Sequence, residues 1–160
     1  IKGGKSFLQM DSYPLLDLVQ HALRSMGESL DPFEVVLEIS PSLLVFCDSN
    51  GLIQILLNLL SNSVKYSKEE KRIVLTAKEE KGWIKIGIQD FGIGIEEKEM
   101  ELIFDKFYRT LEGEKKAQGL GLGLLISRML AREMGGNLVA LPCEKGAYFE
   151  IHLKGGRVSE

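Results

Sequence analysis

An α/β two-layer sandwich is predicted: a mixed, mostly antiparallel sheet of about five main strands, with about three longer helices on one face. Three features of the chain predict it. Short runs such as Ile73–Lys78 and Trp83–Gln89 alternate with the period of half-buried strands. Longer stretches repeat apolar residues with the 3.6-residue period of helices. Most strands follow one another through hairpin-like turns, which leaves the helices to gather in one layer.

In order, residues 1–6 read as a linker or the remnant of a longer chain, since Ile1-Lys2-Gly3-Gly4-Lys5 has neither an initiator Met nor an apolar leader core. Phe7 to Met10 reads as a short strand. Tyr13 to Met26 places Leu15, Leu16, Val19, Ala22, Leu23 and Met26 on one face, a helix with Asp11 or Ser12 near its N-cap and Gly27 at its end. Phe33–Ile39 and Leu43–Cys47 are strands, and Asp48 then caps a central helix from Leu52 to Tyr66. On that helix Ile53, Leu56, Leu57, Leu60 and Val64 form a broad apolar face. Asn58, Asn62, Lys65 and Tyr66, spaced i, i+4, i+7 and i+8, share the opposite stripe, bordered by Ile55 and Leu59. Such a helix is buried except where the stripe meets something. Its amides and ammonium need partners, from the protein or from a polar ligand.

The hairpin of Ile73–Lys78 and Trp83–Gln89 turns at Glu80-Lys81-Gly82, and Asp90-Phe91-Gly92-Ile93-Gly94-Ile95 ends it in a glycine turn. Glu96 to Leu102 reads as a short helix, Ile103 to Arg109 as an aromatic knot, and Thr110 to Gln118 as a polar segment suited to a mobile loop. Gly119-Leu120-Gly121-Leu122-Gly123 opens a helix to about Met134, ended by Gly135-Gly136. Leu138–Leu141 and Ala147–Leu153 are the last strands, joined around Glu144-Lys145-Gly146. Residues 7–154 thus form one domain and 155–160 a C-terminal tail.

Composition excludes several classes. The 160 residues carry a net charge of −3, which gives no basis for nucleic-acid binding, and no basic run suggests a membrane surface. No apolar stretch approaches the ~20 residues of a membrane span. Cys47 and Cys143 read as buried thiols of a reducing cytoplasm rather than a disulfide scaffold. His21 and His152 have no second ligand at zinc spacing.

Two glycine constellations carry chemistry. Asp90-x-Gly92-x-Gly94 can be a plain strand-ending turn. It can equally let a flat ring lie against backbone that lacks Cβ atoms, with the Asp90 carboxylate accepting a hydrogen bond from an exocyclic amine. Adenine offers that amine and guanine presents a carbonyl, so Asp90 would select ATP over GTP. The letters Asp90-Phe91-Gly92 do not indicate a protein-kinase fold, because the chain lacks a His-Arg-Asp loop and is too short. Gly119, Gly121 and Gly123 can be tight packing at a helix start, or can leave N–H groups aimed at an anion. They match neither a Walker loop nor the dinucleotide fingerprint, since position 124 is Leu. Asn62 is then suited to Mg²⁺, which takes few protein ligands when phosphates supply the charge; Lys65 could neutralise phosphate and Tyr66 could flank a base. His21-Ala22-Leu23-Arg24 only weakly resembles a phospho-accepting box and is read as helix surface.

Together these blocks resemble the catalytic ATP-binding domain of bacterial sensor histidine kinases, within the gyrase/Hsp90/histidine-kinase/MutL superfamily. Asn58-Leu-Leu-Ser-Asn62-Ser-Val-Lys65-Tyr66-Ser67 looks like the N box, Asp90 to Gly94 the first glycine box, Phe104-Asp-Lys-Phe107-Tyr-Arg109 the F box, and Gly119 to Leu124 the second glycine box. The resemblance implies a Bergerat-type fold holding ATP and Mg²⁺ beneath a lid at about Thr110–Gln118. By family role Asn62 binds the metal, Asn58 and Lys65 approach phosphates, Tyr66 flanks adenine and Asp90 holds its amine. Phe107 and the segment Gly119, Leu120, Gly121, Leu122, Gly123 also contact nucleotide, and Arg109 assists the γ-phosphate. Catalytic roles thus fall to Arg109, Lys65 and Asn58. Leu120 departs from the usual Thr or Ser, and Ala147-Tyr148 in the third glycine region departs from the family, so that region receives no ligand role.

ATP hydrolases of the superfamily carry a Glu where Asn58 stands; an amide cannot take a proton from water at neutral pH. The resemblance therefore implies phosphoryl transfer to a histidine on a separate dimerisation domain of the same parent kinase, then to the Asp of a response-regulator receiver. The implied ligands are ATP or ADP and Mg²⁺, with no nucleic acid and no membrane contact. A nucleotide sensor without catalysis and a gyrase-like ATPase are the rival readings.

Overall fold

The computed structural model describes residues 7–105 and 120–157. In chain order the longer elements are β1 (Met10–Pro14), α1 (Leu15–Met26), β2 (Glu34–Glu38), β3 (Leu44–Asp48), α2 (Ser49–Tyr66), β4 (Arg72–Glu80), β5 (Trp83–Asp90), α3 (Leu120–Glu133), β6 (Asn137–Leu141) and β7 (Tyr148–Lys154). The main sheet runs β2-β4-β5-β7-β6, and a separate ribbon pairs β1 with β3. Among the described residues only β2 and β4 pair in parallel; the other pairings are antiparallel. Among the described residues this is the predicted mixed, mostly antiparallel five-stranded sheet with three longer helices.

Alternation along β5 builds the core. Ile84, Ile86 and Ile88 stand opposite Leu153, Ile151 and Phe149 of β7, and all six are buried. Leu52, Ile55, Leu56, Leu59 and Leu60 of α2 close over the sheet, each at most 1% exposed. Burial of each such side chain contributes roughly 1.5–3 kcal/mol. The inward positions 84, 86 and 88 continue to residue 90, so Asp90, opposite Ile73 of β4, faces the helix layer and is 4% exposed.

Asp48 caps α2 as predicted: its Oδ1 accepts from the Gly51 N–H at 2.7 Å. The face of α2 is rotated from the predicted one. Ile55 and Leu59, expected at the border, are buried, while Ile53, Leu57 and Val64 are only partly so. The reason is that α2 packs against both α1 and α3 as well as the sheet. The first strand lies at Met10–Pro14 rather than Phe7–Met10, and α1 starts at Leu15 behind Pro14 with no side-chain cap from Asp11 or Ser12. The predicted helix Glu96–Leu102 is instead two 3-10 turns, Glu97–Glu99 and Leu102–Phe104. Cys47 is buried, and burial beside the Asp48 charge pushes its thiol up to about 12. Cys143 lies beyond the end of β6 and is half-exposed, contrary to its reading as a buried strand residue. No helix among the described residues is long and apolar enough to cross a membrane.

Candidate functional site

Asp90 is the end of an inward strand row that would otherwise be apolar. Its Oδ1 accepts from the Gly92 N–H at 3.0 Å and the Ala147 N–H at 3.2 Å. Burial raises its carboxyl above the usual range, while those two N–H groups and the Ser63 hydroxyl pull the other way. The turn after it is locked to the end of α2. Ile93 N–H donates to the Tyr66 carbonyl at 3.2 Å, and a Cβ on Gly92 would run into that same carbonyl. Gly92 is thus required for backbone-on-backbone packing that brings the last turn of α2 beside Asp90, a different reason from the ring contact expected of it. Gly146, at φ +78°, packs its Cα against the Asp90 carbonyl in the same way.

These contacts shape one cleft between the sheet and the helices, enclosing about 470 Å³ of atom-free space with its open mouth included. Asp90, Asn62, Tyr66 and Gly94 line it, together with Ile93, Ile95, Ile103, Leu124, Ala147 and Phe149. Four residues singled out from the sequence therefore meet, one polar end against an apolar slot, as a flat heteroaromatic ring requires.

Others do not line the cleft. Asn58 sits one turn earlier on α2, where its Nδ2 donates to Ser127 Oγ at 2.8 Å and, at 3.5 Å, to the Gly123 carbonyl; Gln54 Nε2 donates to its Oδ1 at 3.2 Å. The amide that was expected to face a ligand ties α2 to α3. Lys65 is exposed outside the slot. Leu120, Gly121, Leu122 and Gly123 form the first turn of α3, as predicted, and the first four N–H groups of a helix have no partner within it. Phe107, Arg109, Gly119 and the segment Thr110–Gln118 lie outside the described residues.

The apolar walls come from residues that the sequence alone does not single out. Ala147 and Phe149 come from the region denied a ligand role, yet Ala147 both lines the cleft and donates its N–H to Asp90. The parity of β7 was the available signal: 147, 149, 151 and 153 all face inward. Among the described residues no group of three or more His, Cys, Asp and Glu could hold a metal. A single neutral amide at Asn62 fits Mg²⁺ carried by phosphates.

Comparison with known proteins agrees with this geometry. Residues 47–157 match the family model for histidine kinase-, DNA gyrase B-, and HSP90-like ATPases. The chain is 35% identical over 119 residues to the aerobic respiration control sensor protein ArcB of Escherichia coli, covering 72% of this chain and 15% of that protein. It is 38% identical over 127 residues to the sensor histidine kinase YcbM of Bacillus subtilis, covering 76% and 40%. It thus spans well under half the length of these relatives. The mycobacterial sensor histidine kinase MprB superposes with a TM-score of 0.80 at 26% identity, covering 94% of this chain and all of that one. The chain belongs to the histidine kinase-, DNA gyrase B- and HSP90-like ATPase family and is an ATP-binding catalytic domain of the sensor-histidine-kinase kind.

Proposed function

We propose that this domain, residues 7–154 between a linker and a short tail, binds ATP with Mg²⁺ and passes the γ-phosphoryl to a histidine on a separate dimerisation domain of a parent kinase, whence it reaches a receiver Asp. The observation that carries the reading is the buried Asp90 carboxylate facing the same slot as Asn62 and Tyr66. Held by backbone N–H groups, it is an acceptor with a fixed direction, matched to the adenine amine. Asn62 would hold the metal, which when bound neutralises phosphate charge. Lys65 and the N–H groups of the first turn of α3 would meet phosphates, and Arg109 would reach the γ-phosphate.

Asn58 supports transfer over hydrolysis. Its amide is occupied by Ser127 and cannot serve as a base, and among the described residues Asp90 is the only carboxylate lining the cleft. Phosphoryl transfer relies on positioning and charge neutralisation, which needs no base for water. We place the activity in the cytoplasm, where ATP is available. Radiolabelled ATP with the fragment alone is expected to label nothing; a matched histidine-bearing domain is expected to become labelled. Labelling of His21 or His152, or rapid turnover of ATP by the fragment, contradicts the proposal.

A further inference from the structure

We infer that Arg128 is a positioning residue for nucleotide binding, bracing the segment that carries Ile103 against α3 and so fixing one wall of the cleft. The inference rests on the nucleotide reading above. Arg128 follows Leu124 by one turn on α3 and is 7% exposed. Its Nη1 and Nη2 donate to the two carboxylate oxygens of Glu101 at 2.6 and 3.1 Å. Its Nε donates to the Leu138 carbonyl of β6 at 3.0 Å. Its Cζ lies 4.0 Å from the centre of the Phe104 ring. A planar guanidinium can fork onto a carboxylate, cap a carbonyl and stack on a ring at once; an ammonium cannot.

What these contacts hold is the cleft wall. Phe104 meets Phe149 edge to face, ring centres 6.4 Å apart, and Phe149, Ile103 and Leu124 all line the slot. Ile103 sits in a 3-10 turn of three residues, too short to keep its own position. The Glu101 side chain is 76% exposed, so the pair contributes little to stability as an ion pair. Its consequence is geometric: it anchors the turn to α3 and, through Leu138, to the sheet.

The test displaces a fluorescent ATP analogue with a non-hydrolysable ATP analogue, adenosine or tripolyphosphate, with thermal melts alongside. Arg128→Met keeps the apolar stem and removes the fork; Glu101→Gln changes only an exposed group; Arg128→Lys keeps the charge. The Met variant is expected to lose about tenfold in affinity for the ATP analogue and for adenosine, with tripolyphosphate unchanged. Glu101→Gln is expected to lose about threefold in the same pattern, and Lys to recover part of the loss. Equal losses for all three competitors, or unchanged affinity in Glu101→Gln with a wild-type melt, overturn the inference. A wild-type chain that binds no ATP analogue overturns the nucleotide reading and this inference with it.

Discussion

The two walls of the cleft are held by different means. On one side Asp90, the glycine turn and the end of α2 are joined by backbone contacts: Ile93 N–H to the Tyr66 carbonyl, Ala147 and Gly92 N–H to the carboxylate. On the other side Ile103 and Leu124 depend on side chains, the Arg128 fork and the Phe104–Phe149 edge contact. Backbone packing tolerates no added atom, whereas a side-chain brace can be exchanged at modest cost. The polar wall, proposed to read the ligand, is therefore the rigid one, and the apolar wall is the adjustable one.

Breaking the rigid wall gives the largest expected effect. Gly92→Ala sets a methyl against the Tyr66 carbonyl, and the backbone must move. A loss of about 3 kcal/mol or more is expected in urea unfolding. A variant of wild-type stability would mean that the turn and α2 are not locked together.

Asp90→Asn separates the wall's chemistry from its packing. The amide keeps an oxygen for the two N–H donors but presents no full acceptor to an exocyclic amine. Affinity for an ATP analogue is expected to fall by about 2 kcal/mol, near thirtyfold, in calorimetric titration. Stability is expected to hold or rise at neutral pH. Because burial raises the folded carboxyl above its unfolded value, the stabilisation it contributes is present below the ordinary Asp range and is lost as pH rises through the raised value. The Asn variant lacks that loss.

Asn62→Ala is expected to cost about tenfold in affinity with Mg²⁺ present and almost nothing with chelator, since the amide oxygen is proposed to act through the ion. Equal losses in both conditions would move Asn62 from the metal to the nucleotide itself.

The smallest effect sharpens the contrast between the walls. Acid acts on them with opposite sign. The hydrogen bond from Arg128 holds the Glu101 carboxyl below its usual range, so its contribution is present above that range and is lost as pH falls through the lowered value. Carboxyl signals followed by NMR should show Asp90 titrating above the ordinary range and Glu101 below it. The reverse order would dissolve the distinction.

Much of the rigid wall was legible in the chain, because its signals are local. A period of two along β5 places Asp90 inward with Ile84, Ile86 and Ile88, and Asp48 marks the start of α2 three residues before the N–H it accepts. The adjustable wall was not legible. Arg128 and Glu101 are 27 residues apart, and either alone reads as solvated surface. The 3-10 turns around Ile103 replaced a predicted helix, because a segment this short takes the conformation its neighbours impose.

The sequence by itself determined the sheet-and-helix architecture, the inward carboxylate and the cap of the central helix, since each follows from periodicity and from residue types that act within a few positions. Only the tertiary structure decided that Asn58 turns to Ser127 rather than into the slot, that Ala147 and Phe149 complete the site, and that Gly92 is needed for the Tyr66 carbonyl. Periodicity records which side of an element is buried; it carries no record of which distant segment does the burying.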